Sequence, residues 1–277
     1  MEQDLVSVIM PTYNEAHFLP ESIECVLCQT YTNLELLITD DCSTNTEIRS
    51  LLLSYAARDK RVRVFFHDTN KGTGHARNNS IAEAKGRYIA FCDSDDRWTK
   101  DKLEKQVAFM KEYGACLTYT SYYQCDTQGK VYGLVRAPKR ITFNQLKRDN
   151  KIGCLTAMYD VTICGKIFMP TLRKRQDWGF FLQILKEHRV AYGMREPLAY
   201  YRRRSDSIST RKCSLIKYNM QVYKKVLGYS KAKSAIYMWL VFMPTYLLKR
   251  TCRGVRNLFF HFKGCPIIIP GSNVGGA

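Results

Sequence analysis

The stretch that decides the fold is LVSVIMPTYNEAHFLPESIECVLCQTYTNLELLITDDCS, residues 5–43. Leu5 to Met10 is a short apolar run rich in β-branched residues and predicts a strand. Phe18, Leu19, Ile23, Val26 and Leu27 then recur at helical spacing, with Pro20 early, where proline is tolerated. Leu34 to Thr39 is a second apolar run. Strand, helix, strand is the βαβ unit of a parallel sheet.

The pattern continues outward. Helices are expected over Thr46–Arg58, Thr73–Lys85 (ended by Gly86) and Lys100–Tyr113 (ended by Gly114). Strands are expected over Val62–Phe66, Arg87–Cys92 and Ala115–Thr120. The fold class is therefore α/β, a mainly parallel, Rossmann-like sheet flanked by helices.

Each of the first four strands runs into polar residues: Pro11–Glu15, Asp40–Asp41, Asn70–Gly72 and Asp93–Asp96. In open parallel sheets ligands bind beyond the carboxyl ends of the strands. One polar strand end is only a turn, but four in register predict a ligand site. Asp93-Ser94-Asp95-Asp96 places three carboxylates within four residues. Ionising all three is costly without a cation, and Mn²⁺ or Mg²⁺ takes one or two carboxylates plus substrate phosphates. Asp96 or Thr99 could alternatively cap the following helix. The sequence has neither GxxxxGK[ST] nor GxGxxG, so a glycine cradle is not the expected phosphate holder.

The strings VSVIMPTYNE (6–15), ELLITDDCS (35–43), NKGTGHARNNSI (70–81), GRYIAFCDSDD (86–96), RKRQDWGF (173–180) and YYRRRSDSIS (200–209) resemble, in this order, the inverting family 2 glycosyltransferases of GT-A fold. CLTYTSY (116–122) and GCLTAMYD (153–160) look closer still to the bacterial teichuronic-acid and surface-polysaccharide branch. The resemblance spans about residues 5–210 and implies an enzyme that moves a sugar from a UDP-sugar to a glycan or polyprenyl-linked acceptor. It implies that Pro11, Tyr13 and Asp41 line the uracil and ribose side, with Glu15 and Arg77 completing the nucleotide pocket. Asp93 and Asp95 match the DxD motif: Asp93 would face ribose or sugar, Asp95 would ligate the metal, and Asp96 would lie on the donor sugar. Asp177 would be the catalytic base. A carboxylate at a helix N-terminus is stabilised as the anion, although Asp177 could equally be a plain N-cap. Two positions depart from the pattern: Gln176 stands where the family usually has Glu, and Arg204 where many relatives have His. Arginine cannot ligate a metal but can pair with phosphate, so Arg202 and Arg204 are assigned to the diphosphate, a solvated basic loop being the alternative.

The chain of 277 residues is 45% hydrophobic, which excludes wholesale disorder. Its net charge of +18 is uneven. Residues 1–194 carry 27 Lys+Arg against 23 Asp+Glu, whereas 195–277 carry 16 against two, Glu196 and Asp206. The GT-A domain is expected over 1–210, with a nucleotide half (1–114) and an acceptor and base half (115–210). A basic, aromatic, helical region is expected over 211–277, ending flexibly in GSNVGGA. Its composition suits an amphipathic helix on an anionic membrane, with a soluble helical subdomain as the alternative. Ala235–Leu248 and Leu258–Pro270 are too short to span a bilayer. The N-terminus, Met1-Glu2-Gln3-Asp4, lacks a signal's basic region, so the expected place is the cytoplasm, peripherally on the inner face of the membrane. Eleven scattered cysteines read as reduced thiols, and the lone pair Cys25/Cys28 reads as core packing. Two competing readings are a nucleotide-sugar-binding regulatory subunit and a basic nucleic-acid binder; the second leaves the alternating first half without a purpose, so no nucleic-acid partner is expected.

Overall fold

The computed structural model describes residues 3–203 and 214–248. The first half runs β1 (Val6–Thr12), α1 (Leu19–Leu27), β2 (Leu34–Asp40), α2 (Thr46–Arg58), β3 (Val62–Phe66), α3 (Thr73–Glu83), β4 (Tyr88–Phe91), β5 (Arg97–Trp98) and α4 (Lys102–Tyr113). It continues with β6 (Leu117–Cys125), β7 (Val131–Val135), β8 (Arg140–Thr142), α5 (Phe143–Arg148), β9 (Met158–Asp160), α6 (Val161–Cys164), α7 (Gln176–His188) and β10 (Val190–Arg202). Helices α8 (Ser214–Lys225) and α9 (Lys231–Ile236) follow, and a wide-turned π-helical segment spans Tyr237–Phe242.

The strands form one mixed sheet in the order β3-β2-β1-β4-β9-β6-β10-β5, with β7 on β6 and β8 on β10. The β3-β2-β1-β4 half is parallel throughout, as the alternation predicts. Beyond β4 the sheet changes character. The short strand β9 is antiparallel to both β4 and β6. The expected fifth strand, β6, therefore keeps the direction of β4 but does not lie beside it. Its parallel partner is β10, 13 residues long and interrupted by register shifts on either side of Pro197.

Side chains alternate across the pleat and fill two cores. Val8, Met10, Leu36 and Ile38 point to one face, against Ile23 of α1, Leu52 of α2 and Val107 of α4. Ile9, Leu37, Ile89 and Phe91 point to the other, against Ile81 of α3 and Phe180 and Ile184 of α7. Tyr223 of α8 and Phe242 join this second core, where Tyr223 meets Trp178 edge-on and Phe242 meets it at a tilt.

Two helix ends differ from expectation. Helix α3 stops at Glu83, because Lys85 N–H donates to Glu35 Oε1 at 2.7 Å and Gly86 N–H to Ser7 Oγ at 2.8 Å. Gly86 is not a helix stop but a point of close approach: a Cβ there would lie 2.7 Å from Leu5 O and Ser7 N at the start of β1. Helix α4 begins at Lys102, since Arg97–Trp98 pair with β10 and Thr99 N–H bonds Leu198 O. Asp101 occupies its N-cap position, so neither Asp96 nor Thr99 caps it. Of the CxxC pair, Cys25 packs on the core while Cys28 is exposed, so core packing accounts for only one of the two. The expected strand Arg87–Cys92, the helix Thr46–Arg58 and the left-handed end at Gly114 are present. The run Leu258–Pro270, GSNVGGA and Arg204 lie outside the described residues.

Lys102 is fully buried in α4, with Nζ donating to Gln106 Oε1 at 2.8 Å and lying 3.9 Å from the centre of the Trp98 ring. Burial lowers its pKa from 10.5 to about 7. The unfolded chain thus holds one more proton between those values, and stability rises with pH across that window. Lys102→Met is expected to remove a slope of about 1.4 kcal/mol per pH unit at its steepest. Urea unfolding from pH 7 to 10 measures it, and an unchanged slope in the variant would refute the assignment.

Candidate active site

The carboxyl ends of β1, β2, β3 and β4 meet along one edge of the sheet. Asp41, just after β2, ties three of them together. Its N–H donates to Thr12 O at 2.9 Å. Its buried carboxylate accepts from Lys71 N–H at 2.9 Å and Gly72 N–H at 2.6 Å, and it hydrogen-bonds His67 Nδ1 at 2.8 Å. Gly72 supplies a φ of +91° at the turn into α3. Asn14, also at positive φ, accepts at Oδ1 from Thr44 N–H at 2.9 Å and so links the β1 and β2 loops. Pro11 is buried at the end of β1, Tyr13 is 48% exposed, and Glu15 is buried with Oε1 accepting from Phe18 N–H at 3.3 Å.

The acidic cluster follows β4. Asp96 is buried: Oδ1 accepts from Arg202 N–H at 3.0 Å, whereas Oδ2 is buried with no hydrogen-bond partner among the described residues. Burial and then the charge of Asp93 push Asp95 up to about 6. Burial and the charges of Asp95 and Asp93 push Asp96 well above the usual carboxylate range. Two arginines oppose this repulsion. Arg77 of α3 is buried, with Nη2 2.5 Å from Asp93 Oδ1. The Arg202 guanidinium pairs with Glu21, stacks 3.9 Å above the Phe18 ring and electrostatically favours ionised Asp95 and Asp96.

Asp177 is the second residue of α7, whose N-cap is Arg175 in the left-handed region, so Asp177 is not the N-cap. It is half-buried, and its Oδ2 accepts from Asn150 Nδ2 at 3.0 Å. The start of α7 packs on the start of α3: a Cβ on Gly74 would lie 3.3 Å from Gln176 Cγ. Asn78 locks the segment before α7 by exchanging two hydrogen bonds with the Met169 backbone, at 2.7 and 2.9 Å. The same helix carries Arg77, whose charge is stabilised by both Asp93 and Asp177. The structure therefore brings Arg77, Asp93, Asp95, Asp96, Asp177 and Arg202 into one electrostatically linked group, with Asp41 and Glu15 holding the adjoining loops. Sequence reasoning missed Asn150, His67, Glu21 and Phe18. Their partners are 26 to 184 residues away in the chain, and no local pattern marks them.

Comparison with known proteins adds the identity. The sequence profile described as Glycosyl transferase family 2 matches residues 7–169. The chain belongs to this family. It is 40% identical over 223 residues to the putative teichuronic acid biosynthesis glycosyltransferase TuaG of Bacillus subtilis, covering 80% of this chain and 88% of that protein. It is 35% identical over 265 residues to WfgD of Escherichia coli, named as a UDP-Glc:α-D-GlcNAc-diphosphoundecaprenol β-1,3-glucosyltransferase, covering 95% of this chain and 98% of that protein. The protein is thus a glycosyltransferase. Its fold is similar to that of Staphylococcus aureus TarS, solved with UDP-GlcNAc, at a TM-score of 0.63 and 21% identity over 84% of this chain and 70% of that one. It is also similar to the mannosyltransferase PcManGT of Pyrobaculum calidifontis, solved with GDP-Man and Mn²⁺, at 0.61 and 16% over 94% of this chain and 79% of that one. These likenesses establish the GT-A architecture of this glycosyltransferase.

Asp41→Ala is expected to strand the Lys71 and Gly72 N–H groups and lower stability by about 2–3 kcal/mol. Urea unfolding measures the loss, with faster amide exchange at Gly72 as its local signature. An unchanged midpoint would show that the loop is held by other contacts.

Proposed function

We propose that this glycosyltransferase moves a sugar from a UDP-sugar, with inversion, to a polyprenyl-diphosphate-linked glycan at the membrane during bacterial surface polysaccharide synthesis. The observation that carries the reading is the linked group Asp93, Asp95, Asp96, Arg77 and Asp177. It offers three clustered acids suited to a cation, an arginine beside them, and one further carboxylate that the same arginine feels. Pro11, Tyr13, Asp41 and Glu15 would frame the nucleoside, with Asp41 acting by holding the 67–72 loop. Asp93 and Asp96 would meet the ribose and the donor sugar, and Arg77, Arg202 and Arg204 would add positive charge toward the diphosphate.

The donor set suits a hard divalent ion. Burial and the neighbouring Asp93 raise the carboxyl of Asp95, and Oδ2 of Asp96 is buried without a hydrogen-bond partner among the described residues, so a cation here would relieve the crowding of charge. Asp95 would ligate Mn²⁺ or Mg²⁺, which when bound offsets the charge that develops on the departing diphosphate. Asp177 would accept the proton of the acceptor hydroxyl as that oxygen bonds to the anomeric carbon. The bond from that carbon to the diphosphate oxygen breaks on the opposite face, and its electron pair leaves with UDP. Asn150 orients the carboxylate for this transfer. The expected test is Asp177→Asn, which should keep UDP-sugar affinity while transfer falls about 10²–10⁴-fold, beside EDTA treatment reversed by Mn²⁺. Full transfer in the variant would overturn the base, and transfer indifferent to EDTA would overturn the cation.

The membrane part of the reading rests on charge and exposure. Ile236, Trp239, Leu240, Leu247 and Leu248 are all more than half exposed, Leu240 at 72%. They follow a segment containing Lys224, Lys225, Lys231 and Lys233. WfgD, by its name, uses a diphosphoundecaprenol acceptor. Among the described residues no helix is long and apolar enough to cross a membrane, which leaves an interfacial contact as the proposed mode. Because Tyr223 and Phe242 pack on Trp178, deleting the whole region would damage the core, and point changes are the cleaner test. The double variant Trp239→Ser, Leu240→Ser is expected to weaken sedimentation with anionic phosphatidylglycerol vesicles at least about tenfold. Unchanged sedimentation would remove this face from the contact.

A further inference from the structure

Two of the scattered cysteines meet in the fold. Cys116 immediately precedes β6, Cys164 ends α6, and His188 ends α7. One ligand atom from each lies within 4.8 Å of the others. Cys116 is buried, while Cys164 and His188 are half-buried, which leaves a side open to solvent. The two thiols are hydrogen-bonded to each other. The Cys164 thiol also lies 3.8 Å from Cys116 O, which itself accepts from Asp160 N–H at 3.0 Å.

We propose that Cys116 Sγ, Cys164 Sγ and the His188 imidazole form a binding site for a thiophilic divalent ion of the Zn²⁺ class, with the fourth position open to water. Bond lengths of about 2.3 Å to sulfur and about 2.0–2.1 Å to nitrogen place tetrahedral ligands roughly 3.5–3.8 Å apart. The three groups therefore need to close by no more than about an ångström. Two thiolates and one neutral imidazole balance a dication. The carboxyl end of α7, where the free carbonyls point, further favours positive charge. Asp160 is an unsuitable fourth ligand, because Thr162 N–H and Oγ occupy its Oδ1 and Arg87 its Oδ2.

The site is separate from the acidic cluster in chemistry and place. Soft sulfur and imidazole ligands select against Mg²⁺ and Mn²⁺, whereas carboxylates suit them. His188 lies eleven residues along α7 from Asp177, about 16 Å at the helical rise. An ion here touches no reacting atom. It would clip the far ends of β6, α6 and α7, and so fix the helix whose other end presents Asp177.

The test uses the full-length protein, reduced, stripped with chelator and titrated with Co²⁺. One equivalent is expected to give sulfur-to-cobalt charge-transfer absorption in the near ultraviolet, lost on adding Zn²⁺. Cys164→Ser and His188→Gln should each abolish or weaken it at least tenfold while circular dichroism stays native. Asp95→Asn should leave it intact, which separates this site from the proposed catalytic ion. Zn²⁺ should also raise the urea midpoint of the wild type but not of Cys164→Ser. No charge-transfer band, a band equal in both variants, or a band lost in Asp95→Asn would overturn the proposal, whatever the outcome for sugar transfer.

Discussion

The structure turns on one electrostatic problem: three carboxylates crowded at the end of a buried parallel strand. Asp93, Asp95 and Asp96 follow β4 closely, and burial raises the cost of charge on Asp95 and Asp96. The partial solution comes from two distant parts of the chain. Arg77 arrives on α3 and Arg202 at the end of β10, each buried and each paired to an acid. Neither could reach the cluster unless α3 packed on the sheet and β10 crossed to its far half. The fold's topology is thus coupled to the charge balance of its site.

This coupling explains why the second half is irregular where the first is regular. Four parallel strands with covering helices suffice to bring the polar loops to one edge. The antiparallel strand β9, the long interrupted β10 and the two-residue β5 then deliver Arg202 and the start of α4 beside Asp96. Helix α7 lies over the opposite face with its amino end toward Arg77. The aromatic packing of Trp178 with Tyr223 and Phe242 makes the C-terminal helices part of the same core. The exposed apolar residues Trp239 and Leu240 therefore sit on a segment packed against the helix that carries Asp177.

The two proposed metal sites divide in the same way. The oxygen-rich cluster at one end of the sheet suits a hard ion, and the sulfur and imidazole group at the other end of α7 suits a softer one. One helix carries a residue of each group, Asp177 near its first turn and His188 at its last. On the proposed reading its two ends would take separate tasks, presentation of a base and attachment to the domain.

The first four strands, their helices, the polar strand ends and the acidic cluster were legible in the sequence, because hydrophobic period and turn chemistry are local. So were the charge asymmetry and, through resemblance, the family. Strands β7 to β10 were not, because they are short or interrupted and their order depends on pairings across the sheet. The ends of α3 and α4 were misjudged by two residues for the same reason: Glu35, Ser7 and Leu198, far along the chain, take the backbone groups that would have continued each helix. Asn150 beside Asp177, Glu21 beneath Arg202, and the meeting of Cys116, Cys164 and His188 carry no sequence spacing at all. Sequence by itself determined which residue types were present and which local elements they form. Only the tertiary structure decided which distant groups share a charge, a hydrogen bond or an ion, because those energies depend on ångströms in space and not on separation along the chain.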